Sequence, residues 1–166
     1  MTTIGLPNVP VLEGGADPAR LDGQDPQSRR IDVWREHERK GAMSRVLIID
    51  DELPIRQVLR RVLEQAGHTV LEAPDGRQGM ALWRREPVDV VVTDLFMPEK
   101  DGVEVLMELS HLAARPKIIA MSGGGAQGLF EVKSTVRCLG ADRVLLKPFE
   151  PRTLVSTVQE VLDGHA

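Results

Sequence analysis

The sequence predicts an α/β fold: five parallel strands in one open, doubly wound sheet, with helices covering both faces. Three observations predict it. From residue 45 onward, apolar runs of strand length alternate five times with segments whose apolar residues recur at helical spacing. The strand runs are apolar at consecutive positions, as expected of a parallel sheet buried on both sides. Polar residues interrupt four of the five runs at their carboxyl ends, which is where such sheets hold ligands.

Val46-Leu47-Ile48-Ile49 is the first strand. In the helix after it, Ile55, Val58, Leu59, Val62, Leu63 and Ala66 fall on one face, and Arg56, Arg60, Arg61 and Glu64 on the other. Gly67 stands where a helix C-terminus needs a residue free to take positive φ. Thr69-Val70-Leu71 is the second strand. Asp75 and Gln78 form a capping box that opens the second helix. That helix runs through about Arg85, packs through Trp83 and is ended by Pro87. Val88 and Val90-Val91-Val92 form the third strand. A third helix covers roughly 101–113 and turns Leu106, Leu109 and Leu112 or Ala113 inward. Lys117 to Met121 is the fourth strand. Leu129, Val132, Val136 and Leu139 mark a fourth helix closed by Gly140. Arg143 to Leu146 is the fifth strand, and Leu154, Val155, Val158, Val161 and Leu162 mark the last helix.

Composition bounds the function. With 166 residues, 42% hydrophobic and 28% charged, the chain can bury a core without disulfides or a structural metal. A net charge of −4 argues against nucleic acid and anionic membranes as partners. The single cysteine, Cys138, excludes an intrachain disulfide and a multi-cysteine zinc site; it is expected to pack near the core face of the fourth helix. His68, His111 and His165 lack metal-ligand spacing and are expected at the surface or a strand edge. No apolar run approaches the roughly 20 residues that span a bilayer, and no secretory signal opens the chain, so the cytoplasm is the expected compartment. Residues 1–43 are punctuated by Pro7, Pro10, Gly14, Gly15, Pro18, Gly23 and Pro26 and predict a mostly disordered extension. A polar helix around Trp34, or a docking segment anchored by Trp34 and Val33, is the sharper alternative, and the natural chain starting at Met43 is another. The domain itself is expected over 44–166.

The chemistry lies at the strand ends. Asp50, Asp51 and Glu52 follow the first strand, and Asp94 ends the third. Ser122 ends the fourth, before Gly123-Gly124-Gly125, and Lys147 with Pro148 follows the fifth. Two like charges about 4 Å apart repel by on the order of 4 kcal/mol at an effective dielectric near 20, so three carboxylates brought together recruit a cation or shift their pKa values. Magnesium suits the case, because it accepts one or two protein carboxylates and leaves room for phosphate oxygens. Lys147 adds a mobile positive charge, and Ser122 with nearby backbone N–H groups can bond a phosphoryl oxygen. The set fits transfer of a phosphoryl group to a carboxylate. Singly, each residue has an ordinary reading: Asp50 or Asp51 as a helix cap, Asp94 as an Asx-turn residue, Lys147 as a solvated charge, the glycines as a flexible loop.

Four segments, Ile49-Asp50-Asp51-Glu52, Thr93-Asp94-Leu95-Phe96-Met97-Pro98 with Asp101-Gly102, Met121-Ser122-Gly123 and Leu146-Lys147-Pro148-Phe149, together resemble the receiver domains of bacterial response regulators. The resemblance covers about residues 44–164. It implies a flavodoxin-like fold of strand order 2-1-3-4-5, with Asp94 as phosphoacceptor. Asp50, Asp51, Asp94 and the main-chain carbonyl of Phe96 would hold Mg2+. Ser122 would be the switching hydroxyl, and Lys147 the phosphoryl-pairing lysine on a cis bond to Pro148. The implied partners are a sensor histidine kinase or histidine phosphotransfer protein, and a downstream protein met by the face of the fourth helix, fifth strand and last helix. With no output domain expected, the chain would act through protein contacts, as a monomer or a weak phosphorylation-dependent dimer, and not as an enzyme on small substrates.

Two residues depart from the family pattern. Val144 stands where receivers often carry an aromatic residue that moves with the hydroxyl, and Phe96 stands where a polar residue is frequent. Phe96 is expected to shield the acyl phosphate from water, and the glycine-rich loop after Ser122 to change shape in place of the aromatic. The Val144 departure supports an alternative, a receiver-like adaptor that binds its partner without phosphorylation. A phospho-aspartyl hydrolase lacks an insertion long enough for a cap, and a nucleotide site lacks the GxxxxGK[ST] loop.

Overall fold

The computed structural model describes residues 43–98, 101–123 and 129–164, the backbone alone for 129–133. The elements in chain order are β1 (Arg45–Ile49), α1 (Leu53–Gln65), β2 (Thr69–Ala73), α2 (Gly76–Arg85), β3 (Val90–Asp94), α3 (Gly102–Ser110), β4 (Lys117–Ser122), α4 (Leu129–Cys138), β5 (Arg143–Leu146) and α5 (Pro151–Leu162). The strands form one parallel sheet in the order β2-β1-β3-β4-β5, as predicted. The extension over 1–42, the glycines at 124, 125 and 128, and His165 lie outside the described residues.

Successive strand residues point to opposite faces, so each doubly apolar strand feeds two cores. Leu47, Ile49, Val91, Ile118 and Ala120 pack with Met80 and Trp83 of α2, Leu106 and Leu109 of α3 and Val136 of α4. Val46, Ile48, Val90, Val92, Ile119 and Met121 pack with Leu59 and Leu63 of α1 and Leu154 and Val158 of α5. Each fully buried side chain of this size contributes roughly 1.5–3 kcal/mol of transfer free energy. The two layers therefore hold the sheet rigid, and it is this rigidity that fixes the strand ends relative to one another.

Helix ends follow local chemistry. α1 stops at Gly67, whose φ of +92° lets its N–H reach the Glu64 carbonyl while the His68 N–H reaches that of Leu63. Asp75 caps α2 through the Gln78 N–H at 2.8 Å, and the Gln78 side-chain amide returns to the same carboxylate. Asp101 caps α3 through the Glu104 N–H at 3.0 Å.

Several expectations are corrected. α3 ends at Ser110, not near 113, because His111 and Ser110 turn their side chains onto the Met107 carbonyl and the Leu112 N–H makes a tighter bond to Leu109. Leu112 is thus only partly buried. Val88 is buried but precedes β3, and Leu139 follows α4. On α1 only Leu59 and Leu63 are fully buried; Val58 is 50% exposed at the rim of the apolar stripe, and Ala66 is the exposed C-cap. Cys138 is exposed at the end of α4, off the face where Val136 is buried. His68 is buried, held by a 2.6 Å hydrogen bond between Ser44 Oγ and its Nδ1.

Candidate functional site: an acidic pocket at the strand ends

Register brings the site together. Ile49 pairs with Thr93, so Asp50 and Asp94 stand level at the ends of adjacent strands. Asp94 pairs with Met121, and Ser122 with Leu146, so Ser122 and then Lys147 follow one step further along the edge. The Lys147 N–H donates to the Ser122 carbonyl at 2.8 Å and closes that step.

Asp50 has no exposed surface. Its Oδ1 accepts from the Glu52 N–H at 2.9 Å and its Oδ2 from Lys147 Nζ at 2.8 Å. Asp94, 8% exposed, accepts from the Phe96 N–H on Oδ1 at 3.1 Å and from Lys147 Nζ on Oδ2 at 2.5 Å. Asp51 is exposed, yet one carboxylate oxygen from each of Asp50, Asp51 and Asp94 lies within 4.8 Å of the others. Burial works to lower the Lys147 pKa, but its hydrogen bonds to Asp50 and Asp94 outweigh burial and hold it above the ordinary lysine value. Ser122 Oγ is buried with no hydrogen-bond partner among the described residues. A buried hydroxyl left unmatched costs about 1–3 kcal/mol, so a group that supplies its partner gains from it.

The residues fit a hard divalent cation. Lys147 offsets one of three clustered negative charges, and exposed Asp51 brings a carboxylate oxygen within 4.8 Å of the other two. Two uncompensated charges in an all-oxygen cluster suit Mg2+.

Every sequence-predicted site residue is thus brought to one edge: Asp50, Asp51, Asp94, Ser122 and Lys147, with the main chain of Phe96 folded against the Asp94 carboxylate. The Lys147–Pro148 bond is cis, as expected. Val144 lies on β5 opposite Ala120, partly buried against the α2–α4 layer. Phe96 is 64% exposed beside the acceptor.

Two contributors were not assigned a place in the site from the sequence. Gly102 opens α3 so close to β3 that a Cβ there would collide with the Asp94 carbonyl; its N–H donates to the Leu95 carbonyl at 3.1 Å. Arg56, expected on the solvent face of α1, turns back to donate from Nη1 to the Asp50 carbonyl at 2.6 Å. Its place one turn into the helix that starts at the acidic pair was the available signal. Beside Lys147, a mostly apolar groove of about 570 Å³ runs between α1 and the start of α5, lined by Ile55, Val58, Pro148 and Phe149 among others.

The sequence matches the response regulator receiver domain over residues 46–159. The chain belongs to that family. Its relatives include the probable transcriptional regulator ycf27 of Porphyridium aerugineum, 35% identical over 120 residues, which are 71% of this chain and 48% of the relative. The transcriptional regulatory protein CpxR of Klebsiella pneumoniae is 34% identical, with 72% of this chain and 50% of the relative covered. The chemotaxis protein CheY of Thermotoga maritima is 32% identical, with 70% and 96% covered. The chain spans about half the length of the transcriptional regulators it matches. Among solved structures, the Vibrio cholerae chemotaxis protein CheY4 superposes with a TM-score of 0.65 at 33% identity, covering 72% of this receiver and 99% of that chain. As a receiver the chain is a response-regulator module of two-component signalling, and the acidic cluster suits phosphorylation and Mg2+.

Proposed function

We propose that this receiver takes a phosphoryl group from phosphohistidine, on a sensor histidine kinase or a histidine phosphotransfer protein, onto Asp94. In the transfer an Asp94 carboxylate oxygen forms a bond to phosphorus, the P–N bond breaks, and the imidazole nitrogen keeps the electron pair. The observation that carries the reading is Lys147 Nζ set between Asp50 and Asp94, at 2.8 and 2.5 Å, next to the free carboxylate of Asp51.

Asp50, Asp51, Asp94 and the carbonyl of Phe96 are the proposed Mg2+ ligands; when bound, the ion neutralises charge on the transferring group. The Phe96 N–H holds the Asp94 carboxylate in place for attack. Lys147 leaves the acceptor oxygen to pair with the phosphoryl group, and Ser122 Oγ gains its missing partner there. These two movements are the proposed signal: they bias a pre-existing equilibrium of the α4–β5–α5 face, which meets a downstream protein. The apolar groove beside Lys147 suits the donor protein, because Asp94 is almost wholly buried and the donor must bring its phosphohistidine to the pocket mouth.

The proposed organisation is a receiver over 44–166 behind an extension over 1–43, acting in the cytoplasm without touching nucleic acid or membrane, as a monomer or weak phosphorylation-dependent dimer. No helix among the described residues is long and apolar enough to cross a membrane.

Intact mass after incubation with Mg2+ and acetyl phosphate tests the reading. Wild type gains one phosphoryl group; Asp94→Ala, or wild type without Mg2+, gains none. Val144 on β5, in place of the usual aromatic, favours a second reading, a phosphorylation-independent adaptor. No gain from acetyl phosphate or from a panel of phosphorylated kinases would establish that one instead.

A further inference from the structure

Asp50 and Asp51 sit on a corner between β1 and α1 where the Asp50 N–H donates to the Ala73 carbonyl at 3.2 Å and the Glu52 N–H donates to Asp50 Oδ1 at 2.9 Å, bonds that hold Asp50 on either side but leave its own carbonyl to another donor. The N-cap of α1, Glu52, makes no side-chain capping bond. Asp51 itself is exposed, with one carboxylate oxygen within 4.8 Å of those of Asp50 and Asp94. Arg56 spans the corner. From the second turn of α1 its Nη1 donates to the Asp50 carbonyl, the oxygen of the peptide that leads into Asp51, at 2.6 Å.

We infer that Arg56 is a positioning residue for the cation: it fixes the Asp50–Asp51 peptide and so aims the Asp51 carboxylate at the pocket. The inference rests on the proposed Mg2+ site. It differs in sign from what the charge of Arg56 alone would do. A guanidinium near a cation site repels the cation, so removing it would tighten binding if charge ruled. If positioning rules, removing it loosens binding, because groups that orient ligands are worth roughly 10–100-fold in metal affinity.

The experiment is calorimetric titration of the full chain with Mg2+, for wild type, Arg56→Gln, Arg56→Lys and Asp51→Asn. Melting temperatures in EDTA check the fold, and phosphorylation by acetyl phosphate is followed across Mg2+ concentrations. Arg56→Gln is expected to weaken Mg2+ binding about 10-fold. The Mg2+ concentration for half-maximal phosphorylation rises equally, and the rate at saturating Mg2+ is unchanged. Arg56→Lys, which keeps a donor and the charge, falls in between. Unchanged or tighter binding in Arg56→Gln overturns the inference. If that variant melts lower in EDTA, Arg56→Lys decides by the same criterion. Wild type binding no better than Asp51→Asn would overturn the metal site itself, and the role of Arg56 with it.

Discussion

The ammonium of Lys147 lies 2.5 Å from Asp94 Oδ2, although the two residues stand 53 positions apart in the chain. The same nitrogen reaches Asp50 across 97 positions. In this arrangement the lysine occupies the side of the acceptor where an incoming phosphoryl group needs a cation. It is also the charge that makes a buried Asp50 tolerable. Lys147→Met is expected to lower stability by about 2–4 kcal/mol, since breaking a buried pair strands the remaining charge. Part of that loss returns on adding Mg2+. Urea denaturation with and without Mg2+ measures both; a variant as stable as wild type in EDTA would show that the pair contributes nothing.

Removing one acid should act in the opposite direction. Asp51 is exposed and belongs to a cluster with excess negative charge. Asp51→Asn should raise the melting temperature in EDTA and abolish the further rise that Mg2+ produces in wild type. A retained Mg2+ effect would remove Asp51 from the ligand set.

Gly102 holds α3 against the acceptor strand. Gly102→Ala places a methyl group against the Asp94 carbonyl, a backbone atom with nowhere to go. A loss of roughly 1–3 kcal/mol is expected, as for other overpacked sites, together with slower phosphorylation by acetyl phosphate. Gly123→Ala, which meets nothing within 4 Å, is the matched control for space and should leave stability nearly unchanged.

The side chains of Val58 and Phe96 are exposed beside the pocket, and changing either leaves the main-chain groups of Phe96 in place. Val58→Glu should slow phosphotransfer from a protein donor about 10-fold or more while acetyl phosphate reacts at the wild-type rate, a charge in an apolar contact costing about 1.4 kcal/mol or more. Equal slowing with both donors would mean damage to the site and not to docking. Phe96→Asn should shorten the life of the phosphorylated form, because the exposed ring no longer shields the acyl phosphate. An unchanged dephosphorylation rate would end that reading.

Acid should destabilise the fold through His68. Burial lowers its pKa below the ordinary 6.5, more than the nearby Asp89 charge raises it. Its folded-state pKa is therefore below the unfolded one, and the unfolded chain binds the proton first. The associated stability is complete above about pH 7 and falls as pH drops through 6.5 toward the folded value. Denaturation midpoints across that window should decline less steeply in His68→Gln; an identical slope would assign the effect to other groups.

Apart from the strand order, which the resemblance to receivers implied, the sequence by itself determined the five alternating units and the five side chains of the pocket. These were legible because consecutive apolar residues report a buried parallel strand, and because residues at a strand's carboxyl end are its neighbours in the chain. Tertiary structure alone decided how deeply each acts. Which way α1 is rolled against the sheet leaves Val58 and Arg56 at its rim and lets the arginine reach back to Asp50. Packing of the turn before β2 buries His68, and the rotation of α4 exposes Cys138. The bridging of Asp50 and Asp94 by Lys147 requires three strand ends to arrive in register. A helix's periodicity gives the width of its apolar stripe but not the angle at which the sheet receives it, and register is a property of pairs of strands that no single segment carries.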